Sequence, residues 1–427
     1  MVRRVLARMA ACGLVVLGMS ASAQAAGNSG TAHPLPWVHV IDLHSAYLRA
    51  LGHVRSGPVR GIARPAGYRP PLRSHAAGAA PAACTEPNCK LAYQNGLVQL
   101  HPRVYLLLWG PNWQTDPAQQ ASAAYLRSFY AGLGAEPRDT WSQILAQYSD
   151  KTGFPTFGKS VYAGSWIDTS VPPTGPNRLN FVAEAAVFAS QQHLSKDLTD
   201  DQIVIATQSG TCPDGFTDPN CGNYTGTYCA YHTWITSGTY TNLPVTNLPY
   251  QIDAGTGCGE NAVANGTNGQ YDGFSIVGGH EFAETVTDPV GTGWLDQADT
   301  YSGGEIGDKC AWSYPTTSTS DLGLVTLSTG SFAMQPLFSN DTFGTPQHGC
   351  PMAAAADTLS LTTGRQASVV DTAVRYQVKA VSSASAALSF SATGLPPGLK
   401  ISSAGLVTGV PTTTGTSHVA VAVDDAK

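Results

Sequence analysis

One short segment, residues 280–288, gathers a histidine and three carboxylates in a chain that has few charged residues elsewhere. The four residues are His280, Glu281, Glu284 and Asp288, whereas charged residues make up only 12% of the 427-residue chain. His280 and Glu284 are four positions apart, so on an α-helix they lie one turn apart on the same face, with Glu281 beside them. The spacing therefore predicts a helix that presents several polar groups together.

The flanking residues set the limits and the orientation of this helix. Asp272 is the predicted N-cap, and Pro289 is predicted to end the helix because the residue before a proline is disfavoured in the α conformation. Phe282 and Val286 fall on the opposite face. We therefore expect the apolar face to pack into a core while the polar face lines a cleft.

The pattern resembles the zinc motif HExxH, in which two histidines bind the ion and the glutamate is the general base. Here Glu284 stands where the second histidine would be. The resemblance implies zinc bound by His280 and Glu284 and water activated by Glu281. Carboxylate oxygen is a harder ligand than imidazole, so calcium remains an open alternative to zinc.

A third ligand is expected from the Gly-flanked segment of residues 304–310, which carries Glu305 and Asp308. The separation of His280 and Glu305 resembles that of the first zinc ligand and the third-ligand glutamate in thermolysin-like peptidases, which also place an aspartate shortly afterwards. The resemblance implies that Glu305 binds the metal and that Asp308 orients a ligand.

Two further residues are candidates for the same site. His232 lies between aromatic residues, a setting that favours a structural role, but its imidazole makes it an alternative ligand. Asp288 is expected to cap the helix or to orient a ligand. Against the whole site stands a simpler interpretation, a helix with surface carboxylates, and the motif alone leaves both open.

The N-terminal residues 1–26 have the three parts of a secretory signal: arginines, an apolar run and a small-residue end. Eight cysteines then remain, and an even number in an exported chain predicts disulfides. Sequence neighbours suggest four pairs: Cys84 with Cys89, Cys212 with Cys221, Cys229 with Cys258, and Cys310 with Cys350.

Charge divides the rest of the chain unevenly. Residues 27–83 contain six arginines and one acid, whereas residues 84–427 contain 14 basic and 28 acidic residues. The basic, Pro- and Ala-rich leader is interpreted either as a propeptide that covers an acidic cleft or as a linker. The acidity of the body argues against nucleic acid as a partner.

Residues 84–352 have the pattern of a mixed α/β domain. Residues 103–110 and 202–207 are apolar runs typical of buried strands, and helical spacing covers residues 117–133, 139–148 and 178–193. Residues 210–269 are rich in turn residues and predict strands and long loops. We expect a layered, zincin-like αβ core in which the helix of His280 packs on a sheet.

The amino-acid composition changes at residue 353, after which the chain is rich in Ser, Thr, Val and Ala. The segments 392–401 and 405–411, with the sequences ATGLPPGLKI and GLVTGVP, resemble the Ig-like domains of bacterial secreted and surface proteins. The resemblance implies a small β-sandwich of the cadherin-like type, used for adhesion or spacing. The chain stops at Lys427, where such domains continue, so we expect the sandwich to be truncated.

Several stretches of the body together resemble the phosphate-induced or exordium-like family of secreted proteins. They are residues 105–113, Tyr148, and residues 164–168, 229–232 and 285–310. The resemblance implies a bacterial relative of growth-related wall proteins that retains a set of metal ligands.

Two functions from different classes follow as expectations. The first is a secreted zinc metallopeptidase that acts on a protein, peptide or cell-wall substrate. The second is a non-catalytic wall-binding or surface-binding protein with a structural or calcium site and an adhesion module. No stretch after the signal is apolar enough to span a membrane. The sequence does not indicate an oligomeric state.

Overall fold

A computed structural model describes residues 38–50, 53–58, 90–135, 139–194, 200–213, 216, 228–264, 266–297, 304–311, 322–343, 349–354, 360–361, 366–378, 380–381 and 388–425. The chain divides into two compact units, a body within residues 37–358 and a C-terminal unit within residues 359–427. The predicted Cys84–Cys89 pair and Cys221 lie outside the described residues.

The body contains both helices and strands, which confirms a mixed α/β composition. Its strands are β1 (His39–Ile41), β2 (Ala92–Tyr93), β3 (Arg103–Trp109), β4 (Tyr162–Asp168), β5 (Asp201–Thr207), β6 (Tyr231–Trp234), β7 (Pro244–Leu248), β8 (Trp294–Leu295), β9 (Gly323–Leu327) and β10 (Gly330–Met334). Its α-helices are α1 (His44–Ala50), α2 (Asn112–Thr115), α3 (Pro117–Gly132), α4 (Arg178–Gln191), α5 (Gln251–Ala254) and α6 (Asp272–Thr287). Its 3₁₀ helices are Ser142–Gln147, Gly255–Cys258, Gly269–Tyr271 and Asp308–Cys310.

Six strands form the main sheet, in the order β1-β4-β3-β5-β7-β6. All neighbouring pairs are parallel except β6 with β7, which is antiparallel. The two apolar runs that predict buried strands become β3 and β5, and every residue of β5 is buried. Strands buried on both faces read as continuous apolar runs, which is why the sequence identifies them.

Part of the predicted leader belongs to this sheet. β1 pairs in parallel with β4. Ser56 forms an isolated antiparallel bridge with Ile235, the residue that follows β6. Leu43, Tyr47 and Val54 from this stretch are buried in the core of the body. Residues 38–50 and 53–58 therefore take part in the folded body, while the propeptide interpretation of the whole leader stays a prediction.

The predicted helices of the body form with two differences. α3 begins after Asp116, whose carboxylate accepts a hydrogen bond from the Ala118 N–H at 2.8 Å, as expected of an N-cap. The predicted helix over 139–148 is instead the 3₁₀ helix Ser142–Gln147. Its start is tied down by Asp139, which accepts from the Ser142 N–H at 2.8 Å.

Asp272 is not the N-cap of α6, so that prediction is wrong. The 3₁₀ helix Gly269–Tyr271 runs directly into α6, and Asp272 becomes its first residue. Its carboxylate accepts hydrogen bonds from the N–H groups of Val263 and Ala264 at 2.9 and 2.8 Å. The side chain therefore fastens the preceding loop instead of capping the helix.

Two of the four suggested disulfides are confirmed within the described residues, Cys229–Cys258 and Cys310–Cys350. Cys212 is also disulfide-bonded. None of the helices in the described part of the chain combines the length and apolarity needed to cross a bilayer.

The C-terminal unit consists of short strands, as its sequence predicts. They are β11 (Ser360–Leu361), β12 (Val374–Gln377), β13 (Ala380–Val381), β14 (Leu388–Thr393), β15 (Leu399–Ile401), β16 (Leu406–Gly409) and β17 (Ala420–Asp425). They form the antiparallel groups β11-β13, β12-β16-β15 and β14-β17. Exposure alternates along β14, which is typical of a strand with one buried face.

Candidate metal centre

Helix α6 carries most of the candidate site and is buried along its whole length. Gly278 and Gly279 permit close packing at the start of the motif. A Cβ at Gly278 would lie 2.9 Å from Oη of Tyr130, and one at Gly279 would lie 3.1 Å from Cε of Met334. These two glycines therefore bring the helix against α3 and β10 just before His280.

His280 is held by an amide on the neighbouring chain segment. Nε2 of Gln335 donates to the Gly307 carbonyl at 2.8 Å, so Oε1 of Gln335 is left to accept from Nδ1 of His280 at 3.1 Å. A proton on Nδ1 leaves Nε2 as the nitrogen that faces the cluster. Nε2 lies 3.0 Å from Oε1 of Glu284.

Glu284 lies between the two histidines of the site. Its Oε1 contacts His280 and accepts from the Asp308 N–H at 3.0 Å. Its Oε2 lies 3.9 Å from Nδ1 of His232 and has no hydrogen-bond partner among the described residues. The two oxygens of one carboxylate thus point toward different imidazoles.

His232 joins the cluster from the edge strand β6. Its Nδ1 lies 3.3 Å from Oε2 of Glu281, and its Nε2 lies 3.3 Å from the backbone carbonyl of Asp288. The Asp288 carboxylate instead accepts from the Gly293 N–H at 2.6 Å and holds the loop that follows α6. Asp288 therefore faces the cluster with its backbone.

The turn of residues 304–311 supplies two more carboxylates. Oε1 of Glu305 lies 3.8 Å from Nε2 of His232, and Oδ1 of Asp308 lies 3.7 Å from Nε2 of His280. The sequence grouped Glu305 with His280 and Glu284, whereas in the structure the imidazole that Glu305 approaches is that of His232. The Cys310–Cys350 disulfide anchors the end of this turn.

Gly307 allows the turn to lie directly against α6. A Cβ at this position would be 2.7 Å from Nδ1 of His280 and 2.9 Å from Oε1 of Glu284. Both distances are shorter than an ordinary van der Waals contact. A side chain at position 307 would therefore separate the turn from the helix.

The cluster is almost completely removed from solvent. His232, His280, Glu281 and Glu284 are 0% exposed, Glu305 is 1% exposed and Asp308 is 4% exposed. Buried charges are costly unless they are paired or bind a metal. Nearby, the buried Lys309 forms an ion pair with Asp296 at 2.5 Å.

The carboxylates around His280 favour its charged form. Burial alone lowers the pKa of His280, but the neighbouring Glu284 carboxylate, with Asp308 and Gln335, raises that pKa to about 9. Without a metal the imidazole is therefore protonated at neutral pH. A metal ion that binds Nε2 has to displace that proton.

The donor atoms fit a divalent transition metal. Two groups of three have ligand atoms within 4.8 Å of one another: His280, Glu281 and Glu284, and His232, Glu284 and Glu305. Ligands bound tetrahedrally to one zinc ion at about 2.0 to 2.2 Å lie about 3.3 to 3.6 Å apart. The 3.0 Å between His280 and Glu284 is slightly shorter than that spacing, and binding an ion between the donors requires small movements.

An open pocket of about 590 Å³ lies next to elements that carry the cluster. Trp234, at the end of β6, lines it together with Val290 and Thr292, which follow α6. His232 and Asp288 lie two residues before Trp234 and Val290, respectively. The volume falls within the usual range for small-ligand sites.

Sequence reasoning missed Gln335 and Gly307, which both act on His280. Gln335 is far from α6 in the sequence, and a lone amide in a β-rich region has no pattern that marks it. The segment GEIGDKC did carry a signal, because glycines flank its acids. That signal located the turn without revealing which glycine touches the imidazole.

Comparison with known proteins gives two similarities. Residues 356–427 match the family described as "Putative Ig domain". Over 218 residues the chain is 23% identical to "Protein EXORDIUM-like 5" of Arabidopsis thaliana. The aligned region covers 49% of this chain and 60% of that protein. The chain thus spans less than two thirds of the relative. Weak similarity to an exordium-like protein and a C-terminal Ig-like match agree with the resemblances seen in the sequence.

Proposed function

We propose that this chain is an exported, zinc-dependent hydrolase of the peptidase type. His280 and Glu284 hold the ion together with a carboxylate from the turn of residues 304–311, and Glu281 is the general base. The observation that carries the proposal is the 3.0 Å approach of Nε2 of His280 to Oε1 of Glu284, on an imidazole whose Nδ1 is bonded to Gln335. Two acceptor atoms facing each other in a buried site require a proton or a metal ion.

A metal is favoured over a proton because further donors surround the same point. His232 lies within 3.9 Å of carboxylate oxygens of Glu281, Glu284 and Glu305. Asp308 lies 3.7 Å from His280. A single proton on His280 offsets one negative charge, whereas the cluster contains four carboxylates. Imidazole nitrogen and carboxylate oxygen are both ordinary zinc ligands.

Bound zinc would polarise a substrate carbonyl and lower the pKa of a water molecule. Glu281 would accept the proton of the attacking water and return it to the leaving group. Its position on α6, next to His280 and three residues before Glu284, suits that role. His232, 3.3 Å from Oε2 of Glu281, would orient the carboxylate.

The peptidase assignment rests on the resemblance of the spacing of His280, Glu281, Glu284 and Glu305 to that of zinc peptidases. The pocket beside Trp234 offers a route along which an extended substrate could approach β6. The Ig-like match suggests that the C-terminal unit attaches the protein to a surface or wall polymer. A protein, a peptide or a peptide of the cell wall is therefore the proposed substrate.

A second function is favoured by one specific observation, the near-complete burial of every donor. Structural zinc sites are closed by protein ligands, whereas catalytic sites keep one position open to water. In this alternative the ion joins α6, β6 and the turn of residues 304–311, and the protein binds a surface without catalysing a reaction.

Replacing Glu281 by Gln separates these functions. We would purify the secreted protein without chelator, measure zinc by elemental analysis, and follow cleavage of a peptide library by mass spectrometry. The hydrolase predicts about one zinc or more per chain in both proteins and turnover only in the wild type. Glu260→Gln, outside the cluster, is the matched control and should keep both zinc and turnover.

Two other outcomes would contradict the hydrolase or both functions. Zinc without turnover in the wild type, with a melting temperature that falls when zinc is chelated, supports the structural ion and contradicts the hydrolase. A wild-type protein that neither contains zinc nor binds added zinc contradicts both functions.

A further inference from the structure

We propose that the cluster holds two divalent cations and that the carboxylate of Glu284 bridges them. The inference deepens the proposed function and rests on it, because the first ion is the one bound by His280. The second ion is assigned to His232, Glu305 and the second oxygen of Glu284.

The geometry of Glu284 is the first step. Oε1 lies 3.0 Å from Nε2 of His280, whereas Oε2 lies 3.9 Å from Nδ1 of His232. A carboxylate that serves a single ion directs one or both oxygens to the same point. Glu284 directs its oxygens to two imidazoles that come from different elements, α6 and β6.

The remaining donors divide between the two imidazoles. Oδ1 of Asp308 lies 3.7 Å from Nε2 of His280, and Oε1 of Glu305 lies 3.8 Å from Nε2 of His232. Because Glu284 approaches the other nitrogen of the same ring, Nδ1, binding of the second ion requires the His232 ring to turn so that one nitrogen faces both carboxylates. The two groups of possible ligands share Glu284, with Glu281 in the group of His280 and Glu305 in the group of His232. Glu281 also reaches toward the second group, because its Oε2 lies 3.3 Å from Nδ1 of His232. Each half thus combines one histidine with carboxylates around a common glutamate.

The charge of the carboxylates in the cluster also favours two divalent ions. If Glu281, Glu284, Glu305 and Asp308 all bind metal, they are deprotonated and the histidines are neutral, as metal ligands must be, so the ligands carry four negative charges. One divalent ion leaves two negative charges in a site whose members are at most 4% exposed. Two divalent ions neutralise these four charges.

The unsatisfied oxygen of Glu284 is a separate observation that indicates a ligand. Oε2 is fully buried and makes no hydrogen bond to any described residue. Buried carboxylate oxygens are normally hydrogen-bonded or bind a metal. A second ion on the His232 side would satisfy this atom.

The donor set indicates the chemistry of the ions. Each half offers one nitrogen and several oxygens, a mixture that suits zinc and manganese better than a site made only of oxygen. Paired ions in hydrolytic sites lie about 3.5 to 4 Å apart. A carboxylate bound through both oxygens spans that separation.

Metal stoichiometry tests the proposal. The full chain, equilibrated with zinc and passed through a desalting column, should contain two ions by elemental analysis. Glu305→Gln keeps the size of the side chain but removes its charge, and we expect it to reduce the content to one. His232→Ala should do the same. His101→Ala, an exposed histidine with a 72% exposed side chain, should keep two.

Manganese provides a second measurement, whose first reading, on the wild-type protein, does not depend on the folding of a variant. Two Mn²⁺ ions bridged by a carboxylate give a spin-coupled electron paramagnetic resonance spectrum, which Glu305→Gln should convert to that of an isolated ion. One ion per chain in the wild type, unchanged in Glu305→Gln, overturns the second site while leaving the proposed function in place. No bound ion overturns both.

Discussion

Gln335 determines which nitrogen of His280 faces the cluster. Its amide nitrogen donates to the Gly307 carbonyl at 2.8 Å, which directs Oε1 toward Nδ1 of His280 at 3.1 Å. An imidazole that donates from Nδ1 presents the lone pair of Nε2 to a metal, so a buried amide without charge sets the orientation of a ligand.

Gln335→Leu should therefore weaken zinc binding without changing the ligands themselves. Loss of a group that orients a metal-bound histidine typically lowers affinity about 10- to 100-fold. We would measure zinc affinity by competition with a chelating dye, and circular dichroism would verify the fold.

The matched control is Gln297→Leu, a change of an exposed glutamine that should leave zinc affinity unaltered. Gln335→Glu, which restores an acceptor for Nδ1, should recover much of the affinity lost in Gln335→Leu. Equal affinity in the wild type and Gln335→Leu would contradict the role given to this residue.

The local part of the site could be predicted from the sequence. Residues four apart on a helix share a face, and proline limits where a helix can end, so His280, Glu284 and the end of α6 follow from short-range rules. The α6 helix indeed ends at Thr287, with Asp288 as its C-cap. The disulfides Cys229–Cys258 and Cys310–Cys350 were also suggested by sequence proximity.

The long-range part could not be predicted in the same way. The neighbours of His232 in space include Glu281 and Glu305, which are remote in the sequence. The aromatic residues beside His232 in the sequence favoured a structural role. Residues 38–50 lie in a basic stretch with a linker-like composition, yet β1 and α1 form there because β4 and α4 provide partners. Tertiary contacts of this kind override local composition.

Glu184 should make the protein less stable as pH rises. Burial raises the pKa of Glu184 well above 4.5, and the negative charges of Asp168 and Asp42 raise it further. The folded state therefore binds a proton that the unfolded chain releases above about pH 4.5. The free energy of unfolding then falls with pH, by up to about 1.4 kcal/mol per pH unit for one group.

Glu184→Gln removes this proton linkage. Its stability relative to the wild type should increase between pH 5 and pH 8, as measured by urea unfolding at several pH values. Glu260→Gln, which changes a partly exposed glutamate, should leave the pH dependence of the wild type unchanged. A difference between Glu184→Gln and the wild type that stays constant over this range would contradict the raised pKa.

The docking of residues 53–58 on β6 should depend on Gly57. Its N–H donates to the Trp234 carbonyl at 2.8 Å, its carbonyl accepts from Oγ1 of Thr233 at 3.1 Å, and a Cβ would overlap the Trp234 ring. Since the indole is nearly buried, Gly57→Ala should lower the free energy of unfolding by about 1 to 3 kcal/mol. Gly158→Ala is the control, because its Cβ would meet no atom within 4 Å.

Cleavage of the leader in the mature protein would remove residues 53–58 from β6. Gly57→Ala would then destabilise only the uncleaved chain, and thermal melts before and after limited proteolysis would reveal the difference.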